Sequence, residues 1–531
     1  MKINKKIMVL LTLLCATVSS IYVIVNGAVC DLALLTTFRL KAFNGDLPMK
    51  SIYGPYALSS WILSGEYHIL HWFFKSNEYG VLLTKIMGVI FQFCVAGYFV
   101  FHETSKGHDK VKTVLCALVF FLFLPDYLYC FVSHYNVIYW MTLLLVLVLS
   151  ETNDTYLKYI CSAVFLCISV LANPTAILLY SVVLIYFICR HTKIKYLLTF
   201  LCASAVIGIG VLGYLFSKNL HLTDILNLLK ACSHDSGTAD IWKKFILIAV
   251  LIVGVVAYHN VFKLLRIKLN FKYEFEILVG SLLLVSLCAI LFLPSKLINC
   301  MRCIYFVISL LGIWASVYGV RECPDKQNYP VYSICGIATA LLCGLFTNTG
   351  IMICSIGMVI PVIGYLHMRA SESHIIIFIL IFIILGQRMI LIDGGQYCTG
   401  FDCKYTVETG IMKGIRVTES NYERYHYLQN IVHQYVDDDD KILYISAAID
   451  SYMYSMSGAD ICFPGNEFTA WDNEYYLDYF NNNPDKIPTK IVIVGAAYIE
   501  RFDDSTNDEF IDYVRENYQV VERTEEIMVL Q

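Results

Sequence analysis

About twenty consecutive apolar residues are enough to cross a bilayer as a helix, and this chain offers such runs repeatedly. They fall at 7–27, 82–102, 112–132, 136–150, 158–172, 174–189, 196–216, 244–262, 275–294, 302–320, 331–347, 351–367 and 374–393. Inside hydrocarbon every backbone N–H and C=O must be satisfied within the protein, so a chain built this way is restricted to packed helices. The expectation is a multi-pass α-helical membrane protein with about thirteen spans. Two pairs of runs are separated only by a polar or helix-breaking cluster, Asn173-Pro174 in one and Asn348-Thr349-Gly350 in the other.

Composition agrees where it matters. Hydrophobic residues make up 58% of the 531 and charged residues 15%, against roughly 45–50% and 25% in soluble domains. The net charge of −4 conceals a partition. From Gly394 onward lie 25 of the 43 acidic and 10 of the 39 basic residues, a net −15, which leaves +11 before it. The chain therefore divides into a polytopic membrane domain at 1–393 and an acidic, polar domain at 394–531. No basic patch in a soluble segment offers an electrostatic footprint for nucleic acid.

Sidedness follows from the short loops, since Lys and Arg collect on the cytoplasmic face. With the amino terminus inside, inner loops carry Lys106-Lys110-Lys112, Arg190-Lys193-Lys195, Lys263-Arg266-Lys268-Lys272, Arg321-Lys326 and Arg369. The outer loop 126–135 has no positive charge, and the long first outer loop 28–81 has Arg39, Lys41, Lys50 and Lys75 alone. An odd number of spans then places the acidic domain outside the cell membrane. The first run follows Lys2, Lys5 and Lys6. Its apolar core of about 19 residues exceeds the 7–15 of a signal peptide and shows no small-x-small site, so an uncleaved anchor is expected.

In the acidic domain, Lys441–Ala447 and Lys490–Gly495 read as buried strands and Glu474–Asn481 and Asn507–Tyr518 as helices. Gln519–Val521 and Ile527–Leu530 read as closing strands, giving a small α/β layer. The Asp437–Asp440 run reads as a solvated loop, because no spaced calcium-ligand loop follows. Cys398 and Cys403 form either a disulfide or two unrelated thiols. No Walker loop, dinucleotide fingerprint or tidy metal-ligand cluster is legible, so no cofactor is expected and a divalent ion stays open.

The first outer loop carries the chemistry. Asp31 stands within a few residues of a span end, where a carboxylate is either desolvated for a purpose or simply facing water. After it come Phe38-Arg39 and the turn Asn44-Gly45-Asp46-Leu47-Pro48. An acid after the first span, an Arg and a Gly-Asp-x-Pro turn resemble the GT-C glycosyltransferases, in the branch of protein O-mannosyltransferases and lipid A aminoarabinose transferases. Ser133-His134-Tyr135-Asn136, Ala172-Asn173-Pro174-Thr175, Met301-Arg302-Cys303, Thr347-Asn348-Thr349-Gly350 and Gly410-Ile411-Met412-Lys413-Gly414-Ile415 extend the likeness. The best-known members carry an Asp-Glu pair where this chain has Asp31-Leu32.

The resemblance implies transfer of a sugar from a polyprenyl-phosphate donor to an envelope glycan, lipid or protein on the outer face. Asp31 is then the general base, with Asp46 and Asp126 as further acids, though Asp46 equally suits a turn. Arg302 is the leading contact for the donor phosphate, followed by Arg39 and Lys296. His134 and Asn136 are candidates for acceptor or sugar contacts. Arg388 and Gln387 are expected to face the bundle interior, and His68 and His71 to sit with Trp72 and Phe73 on an interfacial amphipathic helix. The alternative is a multi-span transporter or flippase, which calls for mid-span ionisable sites and repeated halves.

Overall fold

The computed structural model describes residues 5–27, 30–52, 57–74, 77–123, 133–225, 241–269, 274–281, 284, 297–323, 328–345, 351–369, 374–390, 400–463, 475–505 and 508–531. The chain forms two compact units. One comprises Met1–Ile24, Ile86–Val211 and Ser236–Phe401, and the other Val25–Lys85, Leu212–Asp235 and Asp402–Gln531. In chain order the first helices are α1 (Lys5–Val25), α2 (Cys30–Phe43), α3 (Ala57–Leu63), α4 (Gly65–Phe74), α5 (Gly80–Ser105), α6 (Lys110–Leu122), α7 (His134–Leu149), α8 (Tyr156–Ala172), α9 (Ile177–Cys189) and α10 (Ile194–Ser217).

The first unit is helical. Among the described residues, five helices are long and apolar enough to cross a membrane: α1, α5, α10, Trp242–Leu264 and Ile304–Glu322. Six shorter apolar helices accompany them. Val206 and Ile209 on α10, and Ile246 and Val253 on the helix Ile241–Leu269, are well exposed. Apolar side chains all round a helix suit lipid rather than water.

The break at Asn173-Pro174 is real. Asn173 Oδ1 accepts from Thr175 N at 3.0 Å, and Pro174 opens the short 3-10 turn between α8 and α9. There the missing proline N–H costs nothing, because a first-turn donor has no intrahelical acceptor. The second break falls outside the described residues, but the helices on either side, Tyr329–Leu345 and Ile351–Met368, are described and packed backbone to backbone. A Cβ on Gly357 would lie 2.2 Å from Ala340 N, and one on Gly336 would lie 2.4 Å from Pro361 Cδ. Small residues permit such approach where lipid supplies no hydrophobic drive between helices.

The second unit carries an antiparallel pair, β1 (Tyr405–Thr406) with β2 (Arg416–Val417), and a sheet of β3 (Lys441–Ile445), β4 (Asp460–Ile461), β5 (Lys490–Val494), β6 (Val520–Arg523) and β7 (Ile527–Leu530). The sheet order is β4-β3-β5-β7-β6, with β3 parallel to both β4 and β5. β7 runs antiparallel to β5, and β6 antiparallel to β7. The helices Tyr475–Asn482 and Glu509–Asn517 lie where the sequence places them. The helix Glu419–Tyr435 was not anticipated, because its polar composition hides a narrow buried stripe of Tyr425, Leu428, Ile431 and Val432. The Asp437–Asp440 run is the solvated turn expected before β3, with Asp437 to Asp439 exposed, and hydrogen bonds and an ion pair fix it in place. Asp438 Oδ1 accepts from Gly458 N at 2.8 Å, and Asp440 pairs with Lys490 at 2.6 Å.

The glycine contacts give a direct test. Gly357→Val should lower the stability of the purified protein by about 1–3 kcal/mol or more through overpacking, read as a fall in melting temperature in detergent. Gly208→Ala on α10, where nothing lies within 4 Å of a Cβ, should leave the melt unchanged. Equal melts for both variants would contradict the packing.

Candidate functional site

In the second unit, α2 and its exit turn bring charge indoors. Arg39, Lys41 and Asp46 are all buried, and a buried charge is tolerated only when paired. Arg39 Nη1 donates to Glu66 Oε1 on α4, itself buried. Burial pushes the Glu66 carboxyl above the usual carboxylate range, with Arg39 opposing. Lys41 donates to the carbonyl of Phe463 and to Tyr479 Oη at 3.2 Å.

The turn then completes the cluster. Gly45 takes φ +104°, Gly45 N donates to Ala42 O at 3.3 Å and Asp46 N to Lys41 O at 3.0 Å. This is the reciprocal carbonyl-capping pattern that ends a helix at a left-handed glycine. It folds Asp46 back between two ammonium groups, Lys41 at 3.5 Å and Lys486 at 2.9 Å, while Lys486 also reaches Asp460 at 2.7 Å. Burial pushes the Lys41 ammonium below the ordinary lysine value despite Asp46. For Lys486 burial pulls downward too, but Asp46 and Asp460 together outweigh it and hold the group above that value.

α4 is the expected amphipathic helix. Trp72 and Phe73 are exposed, and Phe43 stacks on His71 with ring centroids 4.5 Å apart. Asp31 is the second residue of α2, and Arg302 lies near the start of the helix Leu297–Trp314; the side chains of both fall outside the described residues. Asp126, Lys296 and Cys398 lie outside the described residues altogether, whereas Cys403 and Cys462 are buried.

The first unit has a polar knot of its own. α6 ends at Leu122, and its last carbonyls would be orphaned in an apolar interior. Gln92 Nε2 donates to Phe120 O at 3.1 Å and Phe121 O at 2.8 Å, and Tyr139 Oη to Phe120 O at 3.1 Å. Arg388 Nη1 reaches Phe121 O at 3.4 Å and Leu122 O at 3.3 Å. A guanidinium at a helix carboxyl end also complements the helix dipole. Gln387 and Arg388 are buried, as the sequence suggested. His134 and Asn136 open α7 and are buried. Asn136 N donates to the Ser133 cap at 3.2 Å.

Beside this knot runs an apolar cavity of about 560 Å³ lined by residues of α1, α5 and α6, among them Leu13, Ile24, Phe93, Gly97, Ala117 and Phe121. From Leu13 to Ile24 it follows α1 for about 16 Å at 1.5 Å per residue. Phe121 belongs to both features, because the Arg388 guanidinium lies 5.8 Å from its ring centroid. A long apolar slot with a buried cation behind its wall at Phe121 has the chemistry to hold a lipid chain bearing an anionic head. Neither Arg388 nor Gln92 was assigned a role from the sequence; an intramembrane arginine is the signal that could have flagged the first.

No family model matches the sequence, and no curated protein matches it. Among solved structures, that of ArnT from Cupriavidus metallidurans bound to undecaprenyl phosphate aligns with a TM-score of 0.43 at 11% identity, covering 99% of this chain and 97% of that one. The apo structure of the same protein aligns with a TM-score of 0.44 at 10% identity, covering 98% and 97%. The match to ArnT thus extends over nearly the full chain at low sequence identity.

The Asp46 cluster should be structural in its energetics. Asp46→Asn removes the carboxylate shared by two buried ammonium groups, which should cost about 3–5 kcal/mol. Glu78→Gln, at the solvent-exposed pair with Lys413, should cost far less, because water screens such a pair. Thermal melts of the two variants in detergent compare them, and equal losses would refute the assignment.

Proposed function

We propose that this chain is a membrane-embedded glycosyltransferase that takes a sugar from a polyprenyl-phosphate donor and passes it to an envelope acceptor on the outer face of the membrane. The observation that carries the reading is the apolar cavity along α1, with the buried Arg388 guanidinium against its wall at Phe121. A polyprenyl chain occupies the cavity in this reading, and its phosphate lies toward the carboxyl end of α6. Arg388 there joins Arg302 and Lys296 as phosphate contacts. Arg39, already paired with Glu66, ranks behind them.

Asp31, at the head of α2, is the proposed base. It takes the proton of the acceptor hydroxyl or amine, the freed lone pair attacks the anomeric carbon, and the bond from that carbon to the phosphate oxygen breaks. The cations stabilise the charge left on the lipid phosphate, where electrostatic preorganisation contributes most. Asp46 ranks below Asp31 because Lys41 and Lys486 already hold it, and Asp126 is the remaining acid. His134 and Asn136, at the start of α7, are placed as acceptor or sugar contacts. The amino terminus is cytoplasmic and the α/β region extracytoplasmic in this arrangement.

Purified protein with labelled polyprenyl-phosphate sugars tests the reading. Wild type should release or transfer sugar, and Asp31→Asn should lose that activity while keeping its melt and elution profile. Full activity in Asp31→Asn would sink the base assignment, and movement of intact donor across vesicles without cleavage would favour a flippase. Gly97→Phe fills the cavity at a position where a Cβ meets nothing within 4 Å. It should weaken undecaprenyl phosphate binding by about tenfold or more, on the order of the 1.5–3 kcal/mol in burying a side chain of that size. Unchanged binding would remove the cavity from the donor site.

A further inference from the structure

A second set of functional groups lies in the helical unit, apart from every residue assigned above. Glu103 stands near the end of α5, His108 follows it in the turn before α6, and His367 lies in the last turn of the helix Ile351–Met368. One ligand atom from each lies within 4.8 Å of the other two. No spacing in the sequence announces the set, since Glu103 and His367 are 264 positions apart.

The arrangement is organised around one carboxylate. Glu103 Oε1 faces His102 Nδ1 at 2.8 Å and Lys106 Nζ at 3.8 Å. His102 in turn reaches Glu151 through Nε2 at 2.5 Å, so its ring is held from both sides. The other oxygen, Oε2, faces His367 Nε2 at 2.9 Å and His108 Nε2 at 3.4 Å. One oxygen is thus fixed by an outer partner while two imidazole nitrogens converge on the second. Carboxylates that ligate metals are oriented by outer hydrogen bonds of this kind.

The dimensions suit an ion. With bonds of about 2.0–2.2 Å, the ligand atoms around a tetrahedral zinc sit roughly 3.3 Å from one another. The two nitrogen–oxygen separations, 2.9 and 3.4 Å, bracket that edge, and all three ligand atoms lie within 4.8 Å of one another, so side-chain rotation that closes the rings on the ion would complete the site. Glu103 and His367 are almost fully buried, while His108 is about one-third exposed. The exposed edge of His108 is the side from which an ion and a water ligand would reach the set. Two imidazoles and one carboxylate suit zinc-class ions, whereas magnesium and calcium prefer all-oxygen sets.

We propose that Glu103, His108 and His367 bind a divalent transition-metal ion of the zinc class, which ties the α5–α6 turn to the carboxyl end of the helix Ile351–Met368. The site is structural: it fastens two helix ends and takes no part in sugar transfer. It stands whether or not the transferase reading does.

Full-length protein in detergent, loaded with Zn2+ or Co2+ and desalted, provides the test. Wild type should retain about one ion per chain and melt at a higher temperature than after chelation, because metal binding adds to folding free energy. Its Co2+ form should show the visible bands of a low-coordinate nitrogen–oxygen site, and Mg2+ should leave the melt unchanged. His108→Ala, at the exposed rim, should bind at least about tenfold more weakly with an unchanged elution profile. If that variant misfolds, His108→Gln replaces it, and the wild-type cobalt spectrum decides independently of either. No retained ion, a featureless cobalt spectrum, or equal retention by wild type and variant would overturn the site and leave Glu103 as the hub of a hydrogen-bond network.

Discussion

A helix that ends inside an apolar medium leaves carbonyls that no water can satisfy, and the first unit is arranged around that constraint at Leu122. Gln92 from α5, Tyr139 from α7 and Arg388 from the helix His374–Ile390 each supply a donor to the last turn of α6. Three separate helices are thereby fixed against one helix end. An uncompensated carbonyl there would cost several kcal/mol, more than any single apolar contact in the bundle supplies. The charge of Arg388 is a by-product of this requirement that also creates an opportunity. Its guanidinium, 5.8 Å from the Phe121 ring centroid, lies behind the wall of the apolar cavity.

The second unit solves the opposite problem, carrying charge into a protein core. Lys41 and Arg39 sit on a helix that is buried over its last turns, and each is met by an acid from a different segment. Asp46 reaches Lys41 only because Gly45 adopts a left-handed conformation that reverses the chain. The same carboxylate holds Lys486, from the turn before β5, so the exit of α2 is bound to the sheet region. Thr37 Oγ1 adds a bond of 3.0 Å to Ser451 O. A first loop and a distant carboxyl-terminal segment thus share one folded unit.

These two cases mark what a sequence does and does not reveal. Hydropathy exposed most membrane helices, because burial in lipid needs only local composition. β3 and β5 were legible as short apolar runs, and the Gly45-Asp46 turn as local chemistry. The pairs that organise the structure were not. Asp46 with Lys486, Gln92 with the end of α6, and Glu103 with His367 join residues separated by tens to hundreds of positions, and nothing local at either member names the other. Within the first outer loop the amphipathic helix α4 was legible, whereas α2 was not, since it takes part of its burial from partners hundreds of residues away, Thr37 from Ser451 and Lys41 from Phe463. Of the site residues chosen from the sequence, Arg39, Asp46, His134 and Asn136 are described as buried side chains.

The placement of ionisable groups in the helical unit also bears on the choice between transfer and transport. Glu103, His108, His367, Arg369 and the His374–Asp109 pair all lie at or near helix ends. Arg388 likewise falls in the last turn of its helix. A transporter that moves a charged substrate through the bilayer is expected to keep such groups near the midplane, at broken helices that face an alternating cavity. These described charges near helix ends, with an apolar cavity lined by α1, α5 and α6, instead suit a substrate whose chain lies among the helices and whose head stays at the membrane surface. In the proposed reading the polyprenyl-phosphate donor is such a molecule, and its transfer would need no passage of charge through the hydrocarbon.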